Sequence, residues 1–336
     1  MTIQCDRSDS QMHNSRAKKP GSKTDVQAHN SEPGHRSLPG ILGNRSLTRV
    51  SGLARGRSPA ENGRCADSAC GIDDMINLER YPLDRPRTDG YRQIVAERGR
   101  DLARTGLVNL EGFLTPEGTS RLVGEIQALM PEAHYAQRQD NPYGAPISGD
   151  LADDHPYRIL SPTARHGIAF HQMRGTALEE LYRWPPLRQF VADLMGLGEL
   201  YLHDDPCNAL VAQIYTTGEG LAWHFDRALF STILSLQETE AGGAFECAPG
   251  LRSADHPCFD EVRDVLLGHS QRVQQFHAKA GSFSIMLGRD ALHRVTTIEG
   301  PTPRMSLILS YEDRPGVRLD VATRRKFFGP TAPDDV

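Results

Sequence analysis

Apolar residues are scarce in this chain, at 38% of its 336 residues. No run of 18 apolar residues occurs, which excludes a membrane-spanning helix, and the N-terminus lacks the apolar stretch of a secretory signal. There is no Gly-x-x-x-x-Gly-Lys phosphate loop and no Gly-x-Gly-x-x-Gly opening a helix, so nucleotide chemistry is not indicated. No repeat of fixed period is present, which sets aside solenoids and propellers. The six cysteines (Cys5, Cys65, Cys70, Cys207, Cys247 and Cys258) form no Cys-x-x-Cys pair. They are expected to be ordinary reduced thiols of a cytoplasmic protein, not a disulfide frame or a zinc site.

Much of the apolar deficit lies in the first 70 residues, which are rich in Ser, Gly, Asn, Pro and Arg. They hold 11 Lys+Arg against six acids, about +5, so the remainder carries about −10 of the total −5. Such a segment cannot bury enough surface to offset chain entropy, and disorder is expected there. Three readings stand for it: a reading frame extended upstream of a true start at Met75, a flexible tail, or an Arg- and Ser-rich transit peptide. Accordingly 1–75 is taken as a disordered basic tail or mis-assigned start, and 76–336 as one folded domain. The acidity of that domain would repel phosphates, so neither nucleic acid nor membrane is expected as a partner. Oligomeric state is not legible.

Along the chain, residues 91–105 form a charged amphipathic pattern stopped at Gly106, and a short strand is expected at 107–114. Thr115 caps a helix with Pro116 at its first position and Leu122, Val123, Ile126 and Leu129 at helical spacing. Residues 134–175 show neither period and are expected to be a long irregular segment, with Arg158, Arg165, His155, His166 and Asp153 as possible contacts. A helical pattern at 176–195 is broken at Pro185-Pro186 and closed by Gly196.

From about residue 198 the period becomes two. Strands are expected at 199–203, 208–216, 221–226, 229–237, 243–248, 273–279, 281–288, 291–298 and 304–312, with a short helix at 259–267. This predicts a mainly β sandwich or barrel, with the β core over 198–313 and a helical support over 91–196.

One stretch organises the rest: Gln213-Ile-Tyr-Thr-Thr-Gly-Glu-Gly-Leu-Ala-Trp-His-Phe-Asp226. Residues two apart on a strand share a face, so His224 and Asp226 point the same way and Phe225 the other. Sixty-seven residues later comes His293, and 11 beyond it Arg304 opens an apolar strand in which Ser306 shares its face. Two imidazoles and a carboxylate with open positions suit a non-haem Fe(II) centre. A planar guanidinium beside them suits a carboxylate, which suggests 2-oxoglutarate as co-substrate. Gln213 and Tyr215, on the strand entering the turn, are further candidates for the co-substrate pocket. A second His-x-Asp, His203 and Asp205, could be completed by His277 and Arg289. It is disfavoured because Asp204-Asp205-Pro206 has turn chemistry and His277 lacks a clamp strand at the right distance.

Gly-Phe-Leu-Thr-Pro-Glu at 112–117, Tyr-Arg-Trp-Pro-Pro-Leu at 182–187, Trp-His-Phe-Asp-Arg at 223–227, Glu-Ala-Gly-Gly-Ala-Phe-Glu at 240–246, Leu-His-Arg-Val-Thr at 292–296 and Leu-Ser-Tyr-Glu-Asp-Arg-Pro-Gly at 309–316 carry a resemblance. The span 106–316 resembles the Fe(II)/2-oxoglutarate-dependent oxygenases, within them the group of free-amino-acid radical halogenases (BesD/HalD-like) and their hydroxylase relatives. The resemblance implies a double-stranded β-helix, a cupin-like jelly-roll barrel with iron at its open mouth. It also implies Fe(II) on His224, Asp226 and His293, and 2-oxoglutarate gripped by Arg304 with Ser306. The halogenase members carry a small residue at the carboxylate position, which frees a site for chloride. Here Asp226 fills it, which favours hydroxylation with O2 and release of succinate and CO2.

The resemblance further implies a small-molecule substrate, a free amino acid or a derivative of one. Arg227, Glu246, Trp223 and Arg158 are candidate substrate contacts, Arg227 for a carboxylate and Glu246 for an ammonium. A salt bridge is an equal reading for Arg227, a structural role for Glu246, and a core position for Trp223. A peptide hydroxylase, a halogenase and a non-catalytic metal-binding jelly roll remain as alternatives.

Overall fold

The structure, a computed structural model, describes residues 71–147 and 149–334. The expectation for the basic tail lies outside the described residues up to 70. Helix α1 (Ile72–Met75) falls on the tail side of the expected boundary, and its Met75 is fully buried.

Helix α2 (Asp89–Thr105) starts where the Thr88 hydroxyl accepts the Tyr91 amide and ends at Gly106 in the left-handed region. Strand β1 (Leu107–Leu110) and helix α3 (Pro116–Leu129) follow, and α3 is capped by the Thr115 hydroxyl with Pro116 at its first position. Next come β2 (His134–Asp140) and β3 (Ser161–Ala169). Helices α4 (Ala177–Arg183) and α5 (Pro185–Met195) are split at the expected prolines, with Gly196 as left-handed cap. Strands β4 (Tyr201–Leu202), β5 (Leu210–Tyr215), β6 (Leu221–His224), β7 (Ser231–Gln237) and β8 (Phe245–Ala248) lead to helix α6 (Phe259–Leu266). Strands β9 (Gln274–Phe276), β10 (Ser282–Met286), β11 (Leu292–Val295), β12 (Arg304–Leu309) and β13 (Tyr311–Glu312) precede helix α7 (Val321–Phe328).

The strands form two main antiparallel sheets. One has the order β1-β10-β7-β12-β5-β3-β2 and the other β6-β11-β8-β9; β4 and β13 pair separately. Strands β5 to β12 pass back and forth between the two, which is the winding of a double-stranded β-helix. Alternation sorts the large sheet's side chains. Leu210, Ala212, Ile214, Leu234, Leu236, Phe283, Ile285, Leu307 and Leu309 join the main core with α2 to α5. The opposite face carries Gln213, Ser231 and Arg165, which look into the space between the sheets. On the small sheet, Trp223, Phe225, Ala248 and Leu292 pack outward against Val262 and Val265 of α6.

Two elements depart from expectation. The segment 134–175 is not irregular throughout: β2 and β3 pair over their length, from His134 opposite Gly167 to Asp140 opposite Ser161, and His166 to Ala169 continue onto β5. Pro162 and Gly167 and a run of charged and amide side chains hid these strands, because such residues are poor in intrinsic strand preference. Pro162 is tolerated because it lies beyond the part of β3 that pairs with β5. Helix α7 was not anticipated either. Its cap is the Asp320 carboxylate, which accepts the Thr323 amide.

Candidate active site

His224 ends β6 and faces His293 of β11 in register, with ring centroids 4.1 Å apart. Each ring has its Nδ1 2.9 Å from the carbonyl of the residue two before it, Ala222 or Ala291. A carbonyl only accepts, so Nδ1 carries the proton and Nε2 is left as a lone-pair donor aimed inward. Asp226 lies just past β6. Its Oδ1 is 3.6 Å from both Nε2 atoms, while Oδ2 accepts the Ser231 hydroxyl at 2.6 Å. The three donor atoms lie within 4.8 Å of one another, and this is the metal-capable cluster among the described residues.

Electrostatics favour the ligand forms. Burial first, then the neighbouring His293, pushes the His224 imidazole down to about 4, so it is neutral. Burial opposes the Asp226 charge, but His293, His224 and the Ser231 hydroxyl outweigh it and hold the carboxyl below its usual range. The backbone tightens the arrangement further. The Asp226 amide donates to the Gly288 carbonyl at 3.0 Å, and a Cβ at Gly288 would come within 2.0 Å of Asp226 Oδ2. Two imidazoles and one carboxylate, each oriented by a second bond, are the donor set of a facial non-haem Fe(II) site. The residues fit the metal.

Arg304 opens β12 beside Tyr215 of β5, and Ser306 lies beside Gln213. Nη1 of Arg304 donates to the Ser306 hydroxyl at 3.3 Å, and the Tyr215 hydroxyl donates to Gln213 Oε1 at 2.6 Å. Burial pulls the Arg304 pKa down, and the guanidinium stands 5.8 Å from the Tyr215 ring centre. The four residues expected for a co-substrate carboxylate are thus brought to one patch of two adjoining strands. A planar cation flanked by a hydroxyl and an amide has the donors a carboxylate needs.

A cavity of about 300 Å³ is lined by His224 and Asp226 of the triad. Its walls include Asn141 and Tyr143 after β2, Arg138, Arg165, and Phe327 and Phe328 of α7. Arg227 lines it and is exposed, so it sits at the mouth. The other three expected substrate contacts, Trp223, Glu246 and Arg158, lie outside its lining. Trp223 packs in the outer cluster against α6. Glu246 accepts Arg294 Nε at 2.7 Å, and Arg294 in turn stacks over Trp223, because the strand period turns this trio away from the interior. Arg158 is exposed and paired with Asp153 at 3.0 Å. Sequence reasoning missed Arg138, Asp140 and the α7 aromatics. The signal available was the alternation Ala136, Arg138, Asp140, which sets all three on one face.

The second His-x-Asp has another purpose. Asp205 is fully buried and accepts the Cys207, Asn208 and Leu319 amides and Arg324 Nε, at 2.8, 2.9, 3.0 and 3.1 Å. It clasps the segment that delivers α7 to the cavity.

A jelly roll that carries two imidazoles, a carboxylate and a nearby guanidinium between its sheets is the architecture of an Fe(II)/2-oxoglutarate-dependent oxygenase. The family model of halogenase D matches residues 91–325, more than two-thirds of the sequence, and the chain belongs to this family. It is therefore an oxidoreductase whose cofactors are Fe(II), 2-oxoglutarate and O2. No curated protein matches it. Among solved structures it is similar to a 2OG-Fe(II) oxygenase family oxidoreductase from Burkholderia pseudomallei, with 15% identity over 66% of this chain and 92% of that one and a TM-score of 0.44. It is also similar to the alpha ketoglutarate dependent carbocyclase SnoK from nogalamycin biosynthesis (15%, 71% and 91%, 0.48) and to a Pseudomonas putida prolyl-4-hydroxylase (17%, 64% and 97%, 0.39). Identities of this size say nothing about its substrate. Among the described residues no helix is long and apolar enough to cross a membrane, and Cys207 and Cys247 are free.

Proposed function

We propose that this chain hydroxylates an unactivated C–H bond of a small amino acid or amino-acid-derived substrate, converting 2-oxoglutarate and O2 to succinate and CO2. One oxygen atom enters the substrate and the other enters succinate, so atoms and electrons balance. The observation that carries the reading is Asp226 Oδ1 at 3.6 Å from both imidazole Nε2 atoms. A carboxylate in the third ligand position leaves no room there for a halide, which supports hydroxylation over halogenation within a family described as halogenases.

His224, Asp226 and His293 hold the iron, and Arg304 with Ser306 grips the remote carboxylate of 2-oxoglutarate. Bound iron supplies the activation of O2. The chain's own residues orient and exclude. Ser231 and Gly288 fix the Asp226 carboxylate, and Tyr215 and Gln213 line the co-substrate's path. The α7 wall keeps bulk water from the space over the triad. A cavity near the lower end of ligand-pocket volumes supports a small molecule over a folded protein as substrate. The folded domain is proposed to be a single unit running to the end of the sequence.

The test is mass spectrometry of the twenty free amino acids after incubation with the protein, Fe(II), 2-oxoglutarate, air and chloride, with succinate followed in parallel. One amino acid gaining a single oxygen with matched succinate is expected. Chlorine incorporation would sink the reading of Asp226. Succinate without a modified amino acid would reject that substrate class.

A further inference from the structure

Three buried polar side-chain atoms lack a hydrogen-bond partner among the described residues, and two of them are guanidinium nitrogens: Nη1 of Arg138 and Nη1 of Arg165. Both residues line the cavity over the triad. They sit on neighbouring strands, with Arg138 opposite Thr163 and Ala136 opposite Arg165, so they are diagonal neighbours on the inner face. Arg165 is 5% exposed. Burial above all pulls its pKa down, with Tyr215 opposing that shift and Arg138 adding to it. A buried cation without a counter-ion is costly, and a second cation beside it raises that cost.

The backbone makes room for this arrangement. A Cβ at Gly167 would fall 2.5 Å from Arg165 Nη1, so the guanidinium lies over a position that only glycine leaves open. The rest of the cavity does not neutralise the pair. Four cations, Arg138, Arg165, Arg227 and Lys326, line it against two carboxylates, Asp140 and Asp226. Asp226 belongs to the triad. Asp140 already accepts from Arg138 Nε and lies 3.4 Å from Lys326 Nζ. No carboxylate of the wall is left for a cationic side chain of a substrate, since Glu246 is turned outward onto Arg294.

We infer that Arg138 and Arg165 form an anion subsite and that the substrate is acidic, a dicarboxylic amino acid or related dicarboxylate with one carboxylate held between the two guanidinium groups. The inference rests on the hydroxylase reading and narrows its substrate class. The carboxylate in that subsite belongs to the substrate and not to the keto-acid end of 2-oxoglutarate.

The test uses the full chain with Fe(II) and saturating 2-oxoglutarate, offered glutamate, aspartate, short dicarboxylates, neutral amino acids, lysine and arginine. Acidic members are expected to stimulate succinate formation and gain one oxygen. Turnover of lysine, arginine or a neutral amino acid in preference to them overturns the inference. Arg165→Gln and Arg138→Gln should each raise the substrate KM at least about tenfold, equivalent to about 1.4 kcal/mol, with the 2-oxoglutarate KM unchanged. Arg165→Lys should recover part of the loss. Gly167→Ala, which removes no charge, should shift the same KM. A rise in the 2-oxoglutarate KM alone would hand the subsite to the co-substrate and overturn the assignment. Because Arg165 is unpaired without ligand, Arg165→Gln should melt no lower than the parent chain.

A second readout separates this inference from the hydroxylase reading. With 2-oxoglutarate saturating, glutamate but not lysine should raise the melting temperature of the parent chain, and Arg165→Gln should abolish the rise. That pattern supports the anion subsite even if no succinate forms with any compound. No rise with glutamate or any dicarboxylate overturns it.

Discussion

The chain contains the pattern His-x-Asp twice, and the two copies end in opposite states. In His203-x-Asp205 the carboxylate is saturated: three backbone amides and the Arg324 guanidinium occupy its oxygens, and its residue is fully buried. The His203 ring is likewise committed, with Nδ1 accepting the Asp205 amide at 3.1 Å. In His224-x-Asp226 one carboxylate oxygen is held by Ser231, and the other faces two imidazole nitrogens that carry no proton. A spare lone pair, more than the residue pattern, distinguishes a ligand from a clasp. What the surrounding backbone does with its amides decides which copy has one.

The comparison breaks most visibly at Asp205. Asp205→Ala leaves Arg324 charged and 2% exposed with its partner gone, and should destabilise the protein by about 3–5 kcal/mol. Denaturant unfolding followed by far-UV circular dichroism measures it; a loss below about 1 kcal/mol would show that the clasp is dispensable. Asp226→Ala should do the reverse. Stability should fall by far less than on loss of Asp205, because Asp226 is only partly buried and leaves no buried guanidinium unpaired, whereas succinate formation should fall by more than the roughly 10–100-fold that losing a supporting partner costs. Full activity in that variant would remove Asp226 from the metal. Ser231→Ala sharpens the contrast, because it frees Oδ2 without touching a ligand. Iron affinity, titrated anaerobically, should weaken by about 10–100-fold, and an unchanged affinity would mean that the hydroxyl does not orient the carboxylate.

Much of this was legible in the sequence, and the limits have physical causes. Strands β5, β7, β10 and β12 announce themselves because one face of each joins the main core with the helices, so the period of two is written largely in Leu and Ile. Thr88 aside, the caps at Thr115, Gly106, Pro185 and Gly196 were visible for the same local reason: each meets a backbone requirement within one turn. The shared face of His224 and Asp226 followed from spacing on a strand, while His293 joins them only through the pairing of β11 with β6. Strands β2 and β3 did not, since their inner faces are polar by function. Arg138, Asp140 and Arg165 are cavity residues, and a strand that serves a cavity loses the apolar alternation that would reveal it. Arg165 was noticed as one of five loop residues, but its partner Arg138 lies 27 positions away and only pairing of the two strands joins them. Helix α7 escaped because its anchor, Arg324, is a buried charge whose partner Asp205 lies 119 positions earlier.

Glu246 supplies the smallest effect and the sharpest check on the outer face. From the sequence it stood beside the ligands as a candidate for an ammonium; in the structure it is opposite Arg294 on paired strands, with their side chains joined at 2.7 Å. The Arg294 side chain is 39% exposed, so solvent screens the pair and its contribution to stability should be at most about 1 kcal/mol. Glu246→Gln keeps the side chain's volume and its contact with the strand while removing the charge. Activity, substrate KM and 2-oxoglutarate KM should all stay within about twofold of the parent, because a free-energy change that small, made on the far side of the small sheet, has no route to the cavity. A substrate KM raised tenfold or more would return Glu246 to the site and would require the small sheet to present its other face to the substrate.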